Sequence, residues 1–192
     1  MRKIIVSTFV TLDGVMEDPG GAEKTAHGGW TQPYADSDFG AFKFAELAAA
    51  DTLLLGRVTY QGFAVAWPQM TTIAGEYATM MNGYAKFVAS TTLKGPLEWN
   101  NSRLIQGNIA DEVSKLKHQS GKDILIFGSS GLIQTLMQHD LIDDYRLLIY
   151  PVVLGSGKHL FKNGRNTTLK LADSKVFGLG VVALTYRRGT EA

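Results

Sequence analysis

The sequence predicts an α/β protein: a mostly parallel central sheet, helices on both faces, and an antiparallel hairpin at the C-terminal end. Three observations lead there. Short apolar runs without alternation, at residues 52–55 and 124–127, suit strands buried on both faces, as parallel strands are. Such runs end in glycine and pass into helically spaced apolar residues, as in Gly128-Ser-Ser-Gly131 followed by Leu132, Ile133, Leu136 and Met137. The chain then closes with two β-rich runs around Gly178-Leu-Gly180, which read as a hairpin.

Taken in order, residues 3–12 are rich in Ile, Val, Thr and Phe and form an interior strand that stops at the turn signal Asp13-Gly14. Residues 18–33 are glycine-rich and too long for a simple connector, which marks a candidate active-site loop. Asp36 or Ser37 caps a helix to about Ala49, with Phe39, Phe42, Ala45 and Ala49 on its core face. The strand at 52–55 ends in Gly56-Arg57-Val-Thr59-Tyr60, a second glycine junction with a helix start. Residues 83–89 form a third strand, ending in Ser90-Thr91-Thr92. A short strand at 100–105 precedes a helix capped by Asn108 and carrying Ile109, Val113 and Leu116 on one stripe, which Gly121 stops. The strand at 124–127 belongs in mid-sheet. A long strand at 145–154 contains Pro151, which points to an edge or a bulge there, and closes in Gly155-Ser-Gly157. Runs 169–177 and 181–187 make the closing hairpin.

A length of 192 residues suits one domain, residues 1–192, with a full core. A net charge of +1 implies no nucleic-acid partner and no anionic membrane surface. The chain has no cysteine, which excludes disulfides, thiolate metal sites and cysteine nucleophiles. Its opening, Met-Arg-Lys-Ile-Ile-Val, begins like a secretory leader, but Thr8, Thr11, Asp13 and Glu17 interrupt the apolar run, so a soluble cytoplasmic protein is expected. The histidines at 27, 118, 139 and 159 are dispersed, and no metal site is expected.

In open α/β sheets ligands bind beyond the carboxyl ends of the strands, so the strand-end motifs should converge. A strand, a glycine turn and a helix N-terminus offer backbone N–H groups and the positive end of a helix dipole to a phosphate. Gly56-Arg57-x-Thr59, Ser90-Thr91-Thr92, Gly128-Ser-Ser-Gly131 and Gly155-Ser-Gly157 are each ordinary alone; together they favour a large phosphorylated ligand. Sharper motifs fail. Gly155-Ser-Gly-Lys158 has Val152 and His159 where a P-loop needs Gly and Ser or Thr, and neither G-x-G-x-x-G nor G-x-S-x-G occurs. Asp13, Asp36 and Asp38 are the acidic candidates, although Asp before Gly is also turn chemistry and Asp36 is also an N-cap. Trp30 and Tyr34 flank the glycine-rich loop and either stack on a planar ligand or pack in the core.

Leu-Leu-Leu-Gly56-Arg57-Val-Thr59-Tyr60, Phe87-Val-Ala-Ser90, Ile-Phe-Gly128-Ser-Ser-Gly131, Pro151-Val-Val-Leu-Gly155-Ser-Gly157 and Leu12-Asp13-Gly14 together resemble the reductase domain of bacterial riboflavin biosynthesis proteins. More closely, they resemble the small stand-alone proteins of the dihydrofolate reductase superfamily. The resemblance covers nearly the whole chain. It implies a dihydrofolate-reductase-like three-layer fold, NADPH as hydride donor, and a small pterin-like or ribosylaminopyrimidine-like substrate. It would place Gly56, Arg57 and Thr59 on the cofactor phosphates, Ser90 and Thr91 near the adenosine 2′-phosphate, and Gly128, Ser129, Ser130, Gly131 and Leu132 under the pyrophosphate. Trp30, Tyr34, Leu154 and Gly155 are then expected to face the substrate, with Asp13, Asp36 or Asp38, or solvent, supplying the proton. The riboflavin reductases pair, so a homodimer is expected. The zinc deaminase ligands of the bifunctional enzymes are absent. A catalytically silent nucleotide-binding protein of the same fold, and a phosphosugar enzyme without redox chemistry, are the other readings.

Overall fold

A computed structural model describes residues 1–34, 36–162 and 166–189. Among them, eight strands form one sheet in the order β4-β3-β2-β5-β1-β6-β8-β7. β1 (Ile4–Thr11), β2 (Ala50–Gly56), β3 (Ala85–Ala89), β4 (Ser102–Ile105), β5 (Asp123–Phe127) and β6 (Asp144–Tyr150) pair in parallel. β7 (Leu169–Val176) and β8 (Val182–Arg188) form the antiparallel hairpin that finishes the sheet against β6.

The two faces of this sheet come from the period-2 alternation of strands that are buried on both sides. Ile4, Val6, Leu54, Ile124 and Ile126 point to one face, where they pack with residues of α4 (Ile109–Lys117) and α5 (Ser130–Gln138). Ile5, Leu53, Leu55, Leu125 and Phe127 point to the other, with residues of α1 (Ser37–Ala48), α2 (Arg57–Ala66) and α3 (Thr71–Gly83). An unbroken apolar run thus serves two cores at once. This is the three-layer, dihydrofolate-reductase-like arrangement expected from the chain.

Three local readings change. β6 stops at Tyr150, so Pro151 lies just past the strand instead of inside it. β6 is interior, between β1 and β8, and a residue without an N–H has no place in a ladder paired on both sides. The buried positions of α1 are Lys43, Glu46 and Leu47, whereas Ala45 and Ala49 are exposed. Residues 57–83, where only a helix start was visible, hold both α2 and α3, the latter broken at Gly75 (φ 52°). Because β1, β2, β3 and β5 are parallel and adjacent in this order, their C-terminal ends share one rim, which is where the site lies.

Candidate active site

At the β2–α2 junction the strand ends on Gly56 and the helix begins on Arg57 without a linker. At the β5–α5 junction Gly128 (φ 58°) and Ser129 (φ 67°) both take left-handed backbone conformations, which swing the chain from strand to helix in two residues. Ser129 stands at the N-cap of α5 but does not cap it. Its Oγ instead accepts a hydrogen bond from the Gly56 N–H at 2.8 Å and pairs with Thr59 Oγ1 at 2.8 Å. The two junctions are therefore tied together, and Gly56 is required: a Cβ there would lie 2.8 Å from Ser129 Oγ. Among the described residues neither helix has a side-chain cap on its first turn, so both present orphan N–H groups and dipole ends to the same rim. Ser130 Oγ is buried with no hydrogen-bond partner among the described residues, and a Cβ at Gly131 would meet open space. Ser90 Oγ accepts from the N–H groups of Thr92 and Leu93 and shapes the loop after β3, leaving Thr91 exposed beside it.

All the residues expected on the cofactor, Gly56, Arg57, Thr59, Ser90, Thr91, Gly128, Ser129, Ser130, Gly131 and Leu132, line one cavity of about 1450 Å³. Arg57 is exposed at its edge and, among the described residues, hydrogen-bonded only to Gln61 at 3.0 Å, with guanidinium donors to spare. Two uncapped helix ends, an unpartnered hydroxyl and an arginine suit the phosphates of an extended anionic ligand.

A second part of the lining is aromatic, and Glu17, Asp18, Glu23 and Lys158 line the cavity as well. Tyr77 and Trp67 are 5.4 Å apart between ring centres, Trp67 and Phe63 6.0 Å, Phe63 and Phe127 6.2 Å, and the series forms a continuous wall. Phe9 and Phe39, 5.9 Å apart, add to it from β1 and α1.

Into this wall projects one ammonium group. Lys43 is 8% exposed and lines the cavity, with Nζ 4.7 Å from the centre of the Phe127 ring and 5.5 Å from that of Phe9. Nζ donates to Ser7 Oγ at 2.6 Å and to Glu46 Oε2, and Ser7 Oγ in turn donates to Glu46 Oε2 at 2.9 Å. Arg146 from β6 donates to the other Glu46 oxygen at 3.3 Å. Burial makes Lys43 hold its proton less firmly than an exposed lysine; Glu46 opposes this and Arg146 adds to it. Stability does not account for such a group, since replacing a buried ion pair by apolar residues is often neutral or favourable by about 1–4 kcal/mol. The chain carries a signal for it: Phe39, Lys43, Glu46 and Leu47 fall at i, i+4, i+7 and i+8 of one helical stripe. A Lys–Glu pair three apart reads more readily as a solvated face.

The expected acids have other tasks, and none lines the cavity. Asp13 accepts from the Thr11 hydroxyl at 2.5 Å and from the N–H groups of Leu154 and Gly155 at 3.2 and 2.7 Å. Asp36 caps α1 by accepting from the Phe39 N–H at 2.7 Å, and Asp38 is exposed in the same turn. Trp30 and Tyr34 pack edge-on against Tyr150, 5.2 and 5.6 Å away, in a separate cluster under the glycine-rich loop. Leu154 and Gly155 are clasped by Asp13. These four also lie outside the lining.

The model of the RibD C-terminal domain family matches residues 2–183. The Bacillus subtilis (strain 168) protein YyaP is 35% identical over 188 residues, spanning 96% of this chain and 94% of its own length. YwjB of the same organism is 28% identical over 184 residues, spanning 94% and 95%. Among solved structures, a protein from Shewanella sp. PV-4 named for riboflavin biosynthesis superposes with a TM-score of 0.73 at 23% identity, covering 99% of this chain and 100% of its own. A pyrimidine reductase-like protein from Corynebacterium diphtheriae gives 0.66 at 14%, covering 99% and 93%. At these identities the two structures speak to the fold.

Proposed function

This chain belongs to the RibD C-terminal domain family, and from that premise we propose that it is a reductase that binds NADPH in the rim cavity and reduces a small substrate against the aromatic wall. The observation that carries this reading is the joining of two uncapped helix N-termini by Ser129, in a cavity that also holds Arg57, Ser90 and Thr91. The first-turn N–H groups of α2 and α5 hold the pyrophosphate. Arg57, with Ser90 and Thr91, meets the additional phosphate that distinguishes NADPH from NADH. When bound, NADPH supplies a hydride; the protein's share is to orient the two reactants, exclude water and provide a proton.

Titration of NADPH and NADH against the protein tests this. NADPH binds more tightly, and Arg57→Ala weakens NADPH more than NADH by ~1–2 kcal/mol as a charge-assisted phosphate contact is lost. Equal or absent binding of both nucleotides contradicts the proposal. Binding of NADPH without oxidation of it by any carbonyl or imine substrate favours the silent nucleotide-binding reading.

A further inference from the structure

The aromatic half of the cavity holds a polar device that the phosphate-binding half has no use for. Lys43 Nζ has three N–H donors. Ser7 and Glu46 take two, and no protein acceptor among the described residues takes the third, although the side chain lines the cavity. Glu46 is shared between Lys43 and Arg146, so the cluster of two cations and one carboxylate has an excess of positive charge. The groups facing Lys43 are Glu46 on its own helix, Arg146 from β6, Ser7 and Phe9 from β1 and Phe127 from β5, with Tyr77 of α3 close enough to feel the Glu46 charge. Such a cluster favours an oxygen on which negative charge develops. The Phe9 and Phe127 rings lie over it, and the Ser7 hydroxyl beside it is already taken up by Lys43 and Glu46, which leaves apolar faces for a substrate there. Lys158, the other lysine among the described residues that lines the cavity, is already held by Glu17 at 2.7 Å and Glu23 at 3.5 Å.

We propose that Lys43 receives the carbonyl oxygen of a planar, apolar substrate and gives it a proton as the carbonyl carbon is reduced. This rests on the reductase reading. Hydride from NADPH forms the new C–H bond, the C=O π pair moves to oxygen, and an N–H bond of Lys43 breaks as O–H forms. The products are the alcohol, NADP⁺ and a neutral Lys43 amine, which regains its proton from solvent after release. Glu46 and Ser7 are positioning residues that fix Nζ against the wall.

The test uses the full chain with 2-naphthaldehyde as substrate, 2-naphthoate as a non-reacting anionic probe in the presence of NADP⁺, and ribose 5-phosphate as the polar phosphorylated control. The wild type is expected to oxidise NADPH with 2-naphthaldehyde and not with ribose 5-phosphate. Lys43→Met loses at least about 100-fold in kcat, with NADPH affinity unchanged, and binds 2-naphthoate at least about 10-fold more weakly by quenching of tryptophan fluorescence. The unchanged NADPH affinity certifies the fold of the variant. Lys43→Arg keeps probe binding, and the alkaline fall in kcat that the wild type shows below the ordinary lysine value of 10.5 disappears, because a guanidinium does not deprotonate there. Persistence of the rate in Lys43→Met, or of the alkaline limb in Lys43→Arg, overturns the role of Lys43. NADPH binding with turnover of ribose 5-phosphate in preference to 2-naphthaldehyde, or of neither, overturns the substrate class. Absence of NADPH binding to the wild type removes the reductase reading itself, a different outcome from either.

Discussion

At Asp13 the carboxylate is held by the Thr11 hydroxyl first and by the N–H of Gly155 next, and its pKa is drawn down from 3.8 to about 2. A group whose folded-state pKa lies below its unfolded value stabilises the fold above the unfolded value and loses that contribution as pH falls through the folded one. Thermal melts of the wild type should therefore lose Tm between about pH 4 and about pH 2, and Asp13→Asn should start lower at neutral pH and fall less across that window. An acid that stays ionised down to about pH 2 is also a poor proton donor at neutral pH, which accords with its position outside the cavity lining. Ser129 makes the opposite case: a residue that reads as a phosphate contact spends its hydroxyl on Gly56 and Thr59. Ser129→Ala leaves the Gly56 N–H without its acceptor and should cost ~1–2 kcal/mol in urea unfolding, in addition to loosening nucleotide binding.

At the scale of elements, α1 shows what a chain discloses and what it hides. Its cap and length were legible, because Asp36 before an apolar stripe is a local signal whose chemistry involves only neighbouring residues. Asp36→Ala should cost about 1 kcal/mol in chemical unfolding without changing the fold. Its buried face was not legible. Lys43 and Glu46 share a helical stripe with Phe39 and Leu47, but they are inside because Ser7, Arg146 and Phe127 come from three distant strands to receive them, and the stripe alone does not distinguish that from a solvated Lys–Glu face. Lys86 is a second instance: it is fully buried, with Nζ donating to the carbonyls of Asn82, Tyr84 and Asn100. Removing one partner of the α1 pair strands the other, so Glu46→Ala should destabilise by roughly 3–5 kcal/mol, read as a drop in the urea midpoint. In residues 57–83 the helical period is interrupted by Gly62 and by the break at Gly75, which is why α2 and α3 were harder to see than α4 and α5.

The whole molecule follows from strands that feed two cores. Runs such as residues 124–127 demand helices on both faces, parallel order then puts successive loops on one rim, and the rim becomes the site. That much of the architecture was written in apolar runs and glycine junctions. The division of the cavity into a phosphate half and an aromatic half was not, because Phe63 meets Phe127, and Trp67 meets Tyr77, only through tertiary packing. The central claim is that segments far apart in the chain grip one dinucleotide together. Backbone amide hydrogen exchange with and without NADPH addresses it most directly. The account predicts that NADPH slows exchange at 56–59, 90–92 and 128–132 in the same titration, with a smaller effect from NADH; protection confined to one of these segments, or falling elsewhere on the surface, would contradict it.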